Sequence, residues 1–486
     1  MNSGLFCFAL LLSGAAQLSA QYTVRQYAVR VEPDIYFGTA DNFDGCPVDL
    51  YLDLYKPVNP DLCRPVLVLL HGGVWVDGDK RDPEAVQIAH DMAARGYVVA
   101  SVNYRQGWHL SPPPAVACTG CWAASLLPCG RYAADTAEVH RAAYRAMQDT
   151  KGAIRFLKNR SPVDSTSRER FFAGGYDAGA TTALLVGFLD KATERPLATF
   201  EVGPVSYNGL AACPAQYTCA PPALERPDLG GIDGGLHLSK SFDASVAGVL
   251  SWSGALWQLE MLGNSTTPPD LYTFHQKCDH LFPCFDGRLF SSLANCLEDC
   301  CPQPACLPLT GMPHSFGGGA IIEYIKEYPD LQIVHQDDIV INGFAIDPLY
   351  GCSGSNSGIP FCSNPNYQYC HDFLFNILRM DYIAGFLNSR MPVPNCFLDA
   401  VAPEWSPAVQ VFPNPASGRV TVLLDSHTAH GLRAVRLWGM DGRAAPLMAV
   451  AEPQGVAFET AGLTPGVYLL VLETASGPVM RRLVLL

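Results

Sequence analysis

Apolar residues follow two different patterns along the chain, and the change falls near Cys396. Before that point, short apolar runs bounded by turn residues alternate with longer stretches of helical spacing. The runs at 66–70, 97–102, 171–174, 246–250, 271–275 and 331–335 predict strands, and the stretches 83–95, 132–158 and 373–387 predict helices. Strands apolar on both faces, alternating with helices, predict an α/β fold with a mostly parallel sheet covered by helices.

The region after Cys396 has shorter strand-like runs, such as Val420–Leu424 and Val467–Leu472, separated by turn residues. This pattern predicts a small all-β sandwich. Two inserts interrupt the first region, at 196–240 and 341–369, and both combine turn residues with cysteines. They are predicted to be surface loops pinned by disulfides.

The N-terminus predicts a cleavable signal peptide over residues 1–20. An apolar run from Leu5 to Leu12 is followed by small residues that end at Ala20. No later apolar stretch is long enough to span a bilayer. The predicted organisation is therefore a leader (1–20), an α/β domain (21–397), a linker (398–408) and a β-domain (409–486).

Composition narrows the classes of partner. Of the 486 residues, 49% are hydrophobic and 16% charged, and the formal net charge is -14. These values describe a packed globular protein with a mildly acidic surface, which excludes nucleic acid and anionic membrane as predicted partners. No cofactor is predicted.

Cysteine usage indicates an oxidising compartment. All 18 cysteines except Cys7 lie between Cys46 and Cys396, and in an exported protein they are read as disulfides. The plausible local pairs are Cys213 with Cys219, Cys352 with Cys362, and Cys278 with Cys284. The mature count is odd, so one thiol is expected to be free or intermolecular. Cys118 and Cys121 have C-x-x-C spacing, but no second pair follows, so no metal site is predicted.

Two segments that follow predicted strands carry candidate chemistry. His71-Gly72-Gly73-Val74-Trp75 follows the strand at 66–70, and its glycines let free backbone N–H groups approach a substrate oxygen, as in an oxyanion hole. Gly174 to Ala180 lies between a strand and a helix, the context of a nucleophile elbow. Asp177 occupies the position of the attacking residue, and the Ala178 N–H is the second predicted oxyanion donor.

Together with Gly78-Asp79-Lys80 and Val102-Asn103-Tyr104-Arg105, these segments resemble the secreted carboxylesterase and feruloyl-esterase-like branch of the α/β-hydrolases, over about residues 25 to 395. The resemblance implies an ester of a small or polysaccharide-linked acid as the substrate. It also implies a serine within a G-x-S-x-G elbow, where this chain has Asp177.

The resemblance extends to the other two members of a catalytic triad. The segment from His275 to Pro283 is similar to the H-G-x-x-D-x-x-V-P loop of these enzymes, which implies that Asp279 is the orienting carboxylate. His371 follows in the expected order of nucleophile, acid and histidine, just before the last helix. His335 and His314 are the alternatives.

Asp177 leaves three hypotheses open. A carboxylate has no proton to relay and is expected to accept hydrogen bonds from the Ala178 N–H and the Gly72–Gly73 loop, which predicts little ordinary esterase activity. Alternatively, Asp177 is the nucleophile that attacks an sp³ carbon, as in dehalogenases and epoxide hydrolases. The third hypothesis is a catalytically silent domain that binds glycan or aryl ligands through Trp75, Trp108 and Tyr176.

The last region resembles the type A sorting domain of the type IX secretion system. The motifs are Val411-Phe412-Pro413-Asn414-Pro415, the Asp441-Gly442-Arg443 turn and Gly466-Val467-Tyr468, in that order. The resemblance implies that the secretion machinery is a partner and that a Bacteroidetes-type bacterium is the source. The expected destination is the outer-membrane surface or the medium, reached through the periplasm.

Overall fold

The structure is a computed structural model. It describes residues 22–59, 61–109, 133–205, 224–238, 242–263, 265, 267–277, 279, 281–289, 312–340, 377–392, 409–424, 431–439, 444–452, 454–474 and 477–486. The chain divides into two compact units. The first takes its residues from Met1–Val58, Val66–Asn159 and Phe171–Met391, and the second from Asn59–Pro65, Arg160–Arg170 and Pro392–Leu486.

The first unit contains an eight-stranded sheet and a small three-stranded sheet. The strands are β1 (Val29–Asp41), β2 (Pro47–Pro57), β3 (Arg64–Leu70), β4 (Val98–Val102), β5 (Thr166–Tyr176), β6 (Gly248–Trp252), β7 (Ala255–Leu256), β8 (Asp270–Gln276), β9 (Asp286–Arg288), β10 (His314–Gly317) and β11 (His335–Val340). The large sheet has the order β1-β2-β4-β3-β5-β6-β8-β11, and the small one β7-β10-β9. β2 is antiparallel to β1 and β4, whereas the pairs β3–β4, β5–β6, β6–β8 and β8–β11 are parallel.

Helices connect these strands. They are α1 (Pro83–Ala94), α2 (Thr136–Asp164), α3 (Ala178–Phe188), α4 (Gly318–Glu327) and α5 (Ile377–Ser389), with single 3₁₀ turns at Ala192–Glu194, Leu197–Thr199, Leu259–Gly263 and Pro329–Leu331. This mostly parallel sheet, with an antiparallel pair at one edge and a sharp turn between β5 and α3, is the α/β-hydrolase fold. The predicted fold class is confirmed.

Two hydrophobic cores explain why the strand sequences are continuously apolar. In β3, Val66, Val68 and Leu70 belong to one core, whereas Leu67 and Leu69 belong to another. Successive side chains of a strand point to opposite faces, so a central strand covered on both sides requires apolar residues at every position. β3 and β5 are neighbours in this sheet, and their carboxyl ends lie beside each other.

One predicted strand was misplaced. Residues 331–335 were expected to form it, but Pro329–Leu331 is a 3₁₀ turn and Gln332 has a left-handed φ of 56°. The strand in the structure is β11, His335–Val340, whose first four residues are polar. Among the strands that the structure describes, β11 is at the edge of the sheet and pairs with β8 alone, so it does not need the apolar pattern of a central strand.

The described part of the first insert packs on α2 through backbone carbonyls. The Arg141 guanidinium donates to Ala198 O, Phe200 O and Pro227 O, and Gln148 Nε2 donates to Leu229 O and Gly231 O. Long polar side chains on α2 thus supply donors to loop carbonyls on the side of the insert that faces the helix. The second insert lies outside the described residues, as do Cys213, Cys219, Cys352 and Cys362.

The predicted pair of Cys278 with Cys284 is wrong, because Cys284 is a free, buried cysteine. Its carbonyl accepts the Gly319 N–H at 2.8 Å at the start of α4, and burial raises the pKa of its thiol to about 12. Cys46 and Cys63 each take part in a disulfide bond. Within the described ranges, no helix is both long and apolar enough to cross a membrane.

The second unit contains two four-stranded antiparallel sheets. Their strands are β12 (Val409–Phe412), β13 (Arg419–Leu424), β14 (Leu432–Gly439), β15 (Ala444–Ala445), β16 (Ala449–Glu452), β17 (Gly455–Glu459), β18 (Gly466–Thr474) and β19 (Gly477–Leu485). One sheet has the order β12-β13-β17-β16 and the other β15-β14-β18-β19. Val420 and Val422 of the first sheet share a core with Leu470 and Leu483 of the second. The predicted β-sandwich is confirmed.

Close packing of α3 against β3 gives a stability prediction. A Cβ atom at Gly179 would lie 2.3 Å from Leu70 O and 2.5 Å from His71 O, two backbone atoms that cannot rotate away. We expect Gly179→Ala to lower the free energy of unfolding by about 2–3 kcal/mol. The measurement is urea unfolding followed by circular dichroism.

Gly385→Ala is the matched control, because an added Cβ at this exposed position of α5 meets nothing within 4 Å. This variant should gain about 0.5–1 kcal/mol through helix propensity. Equal effects of the two substitutions would contradict the packing explanation.

Candidate functional site

Asp177 occupies a strained turn at the carboxyl end of β5. It lies between Tyr176, the last residue of β5, and Ala178, the first residue of α3, with φ 58° and ψ −124°. Its own N–H donates to Trp252 O at 3.0 Å, and its carbonyl accepts the N–H groups of Ala180 and Thr181. These bonds hold a backbone conformation that is unfavourable for a residue with a side chain. The turn is thus the sharp elbow that the sequence predicts.

The Asp177 carboxylate is bonded to the loop that was predicted to form the oxyanion hole. The Gly73 N–H donates to Asp177 Oδ2 at 2.8 Å. A Cβ at Gly72 would lie 3.0 Å from the Asp177 Cβ and 2.9 Å from the Tyr176 ring, so only glycine lets the loop come this close. The structure therefore contains the expected bond to the Gly72–Gly73 loop, whereas the donor role of Ala178 stays a prediction.

The direction of the Gly73 N–H is set by groups on the other side of the same peptide. His71 Nδ1 lies 2.8 Å from Gly72 O, and the Tyr104 hydroxyl donates to His71 O at 2.8 Å and Gly72 O at 3.3 Å. The Tyr104 ring stacks on the His71 imidazole, with ring centroids 4.4 Å apart. Because the peptide is planar, holding the Gly72 carbonyl on one side turns the Gly73 N–H to the opposite side, toward Asp177.

His71 is therefore a structural residue of this loop. It is fully buried, and burial lowers the pKa of its imidazole. Gln106 Nε2 lies 3.5 Å from His71 Nε2 and donates to Asp77 O and Gly78 O, which ties the end of the loop to the same ring. Sequence reasoning quoted Tyr104 within a motif but gave it no role, and it did not single out Gln106.

The two further motifs join the loops that follow β3 and β4. Asn103 accepts the Lys80 N–H at 2.6 Å and donates to Asp79 Oδ2 at 2.7 Å. The Ser101 hydroxyl donates to Lys80 O at 2.7 Å, and the buried Lys80 ammonium lies 3.3 Å from Asp53 Oδ1. These bonds fix the segment after the oxyanion loop against the sheet, which explains why the two motifs occur together.

The aromatic residues proposed to contact a ligand differ in placement. Trp75 and Trp108 are fully buried, and the Trp75 indole N–H donates to Thr182 Oγ1 on α3 at 3.0 Å. Trp75 thus supports the oxyanion loop from within the core and has no solvent-accessible face. Tyr176 is partly exposed and lies over Gly72. Ligand contact by Trp75, Trp108 or Tyr176 stays a prediction, and of these three residues only Tyr176 has exposed surface.

Asp279 is a buried carboxylate on the loop after β8. Its Oδ1 accepts the N–H groups of Leu281 and Phe282, both at 2.9 Å. Backbone donors of this kind favour the charged form of a carboxylate and fix its rotation. The centroids of the Phe282 and Trp75 rings are 6.1 Å apart, with the rings edge to face. The loop that carries Asp279 and the loop from His71 to Trp75 therefore pack into the same core.

The predicted triad histidine, His371, is not among the described residues. It lies between β11 and α5 along the chain. His335 pairs with Leu271, and Val340 with Gln276 at the carboxyl end. The Asp279 loop follows the other end of these strands, and five residues of strand from His335 to Val340 span roughly 16 Å. His335 is therefore too far from Asp279 to be the triad histidine. His314 pairs with Asp286 at 3.0 Å rather than with Asp279.

Comparisons with known proteins agree with an esterase-type domain. The family model BD-FAE, which describes esterase-like α/β-hydrolases, matches residues 52–119, the part of the chain that contains the oxyanion loop and both associated motifs. A curated relative, the neuroligin-like protein glit-1 of Caenorhabditis elegans, is 28% identical over 167 residues. The match covers 33% of this chain, which spans about a fifth of the length of that relative.

Similar solved structures include a truncated carbohydrate esterase from gut microbiota (12% identity, TM-score 0.37, 75% of this chain and 98% of that one). Esterase 2 of Thermogutta terrifontis phosphorylated by paraoxon has 14% identity and a TM-score of 0.33, with 64% and 82% covered. A bifunctional GH43-CE protein of Bacteroides eggerthii has 14% identity and a TM-score of 0.37, with 74% and 38% covered. These scores are low, and the fold assignment depends on the sheet topology. The sheet topology shows the α/β-hydrolase fold, and residues 52–119 are similar to the esterase-like BD-FAE family.

Proposed function

We propose that the first unit is an esterase-type domain that does not turn over ordinary carboxylic esters, because its attacking residue is replaced by a carboxylate that fills the oxyanion position. The observation that carries this proposal is the 2.8 Å hydrogen bond from the Gly73 N–H to Asp177 Oδ2. The ligand class proposed from the esterase resemblance is an ester of a small or polysaccharide-linked acid.

Two physical effects oppose serine-type hydrolysis at this site. A serine hydroxyl gives its proton to a histidine as it attacks, and an ionised carboxylate has none to give. In addition, the tetrahedral intermediate of ester hydrolysis places its negative oxygen on backbone N–H donors. With Asp177 Oδ2 bonded to one such donor, the developing oxyanion would have to displace a negative charge.

Replacing Asp177 by serine tests this proposal. We expect wild-type turnover of p-nitrophenyl esters to stay below about 1 s⁻¹, an ordinary enzymatic rate. Asp177→Ser should raise kcat/KM by at least roughly 100-fold, because it frees the Gly73 N–H and supplies a hydroxyl. Initial rates on acetate and butyrate esters give both values.

Asp177→Asn is the control for this experiment, since it removes the charge, keeps the shape and supplies no nucleophilic hydroxyl. It should gain no activity. Wild-type turnover at about 1 s⁻¹ or faster would contradict the proposal. A serine variant that gains nothing would favour a silent domain that binds its ligand without chemistry.

A second candidate function makes Asp177 the nucleophile, and the same hydrogen bond favours it. One carboxylate oxygen would attack an sp³ carbon as the carbon–halide or carbon–oxygen bond breaks, and the leaving group would depart with the electron pair. The product is an ester of Asp177. The oxygen bonded to the Gly73 N–H would become its carbonyl oxygen, already placed on a donor that stabilises the oxyanion when water attacks. A histidine paired with Asp279, proposed as His371, would take the proton of that water.

Isotope labelling separates the second candidate from the first. In a single turnover of 1-bromobutane or styrene oxide in H₂¹⁸O, attack of water on the Asp177 ester must leave one heavy oxygen in the Asp177 side chain. Mass spectrometry of the peptide that contains Asp177 detects it, with Asp177→Asn as an unlabelled control. Product formation without label in this peptide would exclude Asp177 as the nucleophile.

We propose further that the chain is exported and that the second unit is its type IX sorting module. The P-N-P segment supports a closed module, because Asn414 Oδ1 accepts the Val484 N–H at 2.9 Å and the Ala416 N–H donates to Val484 O at 2.8 Å. The opening motif of the unit is thereby bonded to its last strand, β19.

Fractionation of the native host tests the export proposal. We expect the full chain at the outer-membrane surface or in the medium, and a chain lacking residues 409–486 in the periplasm. Equal amounts of both chains outside the cell would show that the second unit has no role in sorting. Recovery of the full chain from the periplasm alone would contradict export.

A further inference from the structure

His275, next to the last residue of β8, has no role in the function proposed above, yet it is bonded on both sides of its ring. It is fully buried. The Gly318 N–H, at the start of α4, donates to His275 Nδ1 at 3.0 Å. His275 Nε2 lies 3.2 Å from Phe282 O and 3.4 Å from Asp279 Oδ2. The imidazole therefore lies between the first turn of α4 and the Asp279 loop.

The Gly318 contact fixes the tautomer of this histidine. A backbone N–H can only donate, so the Nδ1 that faces it must carry a lone pair and no proton. The proton of the neutral ring is then on Nε2, where it points at the two oxygens of the Asp279 loop. His275 consequently donates from Nε2 to Phe282 O in the Asp279 loop, with Asp279 Oδ2 3.4 Å from the same nitrogen, and accepts at Nδ1 from α4.

The glycines at the start of α4 allow this contact. A Cβ at Gly317 would lie 2.8 Å from His275 Cε1, and one at Gly318 would lie 3.2 Å from His275 Nδ1. The start of α4 also bonds to the chain segment that follows Asp279. The Gly317 N–H donates to Phe285 O at 3.0 Å, and the Gly319 N–H donates to Cys284 O at 2.8 Å. The helix thus holds both His275 and the chain that follows Asp279.

We infer that His275 is a positioning residue, held in its Nε2–H form by α4, that orients the Asp279 carboxylate for the histidine of the triad. Asp279 Oδ1 is bonded to the Leu281 and Phe282 N–H groups, and Oδ2 faces His275 Nε2. The two backbone bonds fix Oδ1, and the buried His275 ring, 3.4 Å from Oδ2, limits rotation of the carboxylate. The inference rests on the proposed role of Asp279 as the orienting acid.

Two substitutions separate the two bonds of His275. In His275→Asn, the amide oxygen is at the position of Nδ1 and still accepts the Gly318 N–H, but the donor toward Asp279 is lost. In His275→Gln, the amide nitrogen is at the position of Nε2 and keeps that donor, but the acceptor for Gly318 is lost.

The first measurement needs no activity. Nitrogen-15 NMR of the wild-type chain, labelled at histidine, should show the His275 ring as an Nε2–H tautomer at pH 8, its signal identified by its absence in His275→Asn. An Nδ1–H tautomer would overturn the inference whether or not the domain is an enzyme.

The second measurement uses Asp177→Ser as the background, the variant proposed above to hydrolyse esters. Adding His275→Asn should lower kcat roughly 10- to 100-fold with little change in KM, the range seen when a supporting partner of a functional group is removed. Adding His275→Gln should leave kcat within roughly threefold, a rescue by the conservative variant that a purely structural role would not give.

Equal losses of kcat in the two variants, or no loss in His275→Asn, would overturn the inference. An inactive Asp177→Ser background would count against the proposed function alone, and the tautomer measurement would then decide the role of His275.

Discussion

The hydrogen bond between the Gly73 N–H and Asp177 Oδ2 is the interaction around which the site is organised. Its two ends belong to segments that are separately held: His71 and Tyr104 fix the peptide that carries the donor, and α3, packed on the end of β3, fixes the elbow that carries the acceptor. Neither segment can move without breaking several other contacts. A carboxylate is consequently held against the Gly73 N–H, and under the function proposed above this placement limits the chemistry open to the domain.

Residues with strained backbone conformations cluster just after the carboxyl ends of β3, β5 and β6. Val74, Trp75, Asp177 and Ser253 all have φ between 52° and 60°, although none is glycine and Val74 is β-branched. Such conformations cost on the order of 1–3 kcal/mol each and persist only where the surroundings enforce them. Here the enforcing surroundings are the buried sheet and its two cores. The site is thus built on rigid elements, which hold its groups in one arrangement.

The parallel ladder relates the nucleophile side of the site to the acid side. Tyr176 on β5 pairs with Trp252 on β6, and Trp252 pairs with Phe274 on β8. Asp177 directly follows Tyr176 and His275 directly follows Phe274, so both lie at the same height along the strands. The loop that carries Asp279 begins just after His275, and backbone N–H groups at the start of α4 bond to the far end of this loop. Register within the sheet thus places the elbow and the start of the Asp279 loop at the same end of the sheet.

The sequence by itself determined the α/β class, the β-sandwich and the sharp turn at Asp177. The period of the apolar residues reports which positions are buried, and the local turn residues report the shape of the backbone. The sequence did not give Tyr104 or His275 a role, and it misplaced β11 and paired Cys284 wrongly. These features depend on which groups meet across long separations: Tyr104 reaches Gly72 over 32 residues, and Gly318 reaches His275 over 43. Only the tertiary structure brings such donors and acceptors within 3 Å or so, since a local pattern carries no information about the direction from which a distant peptide approaches.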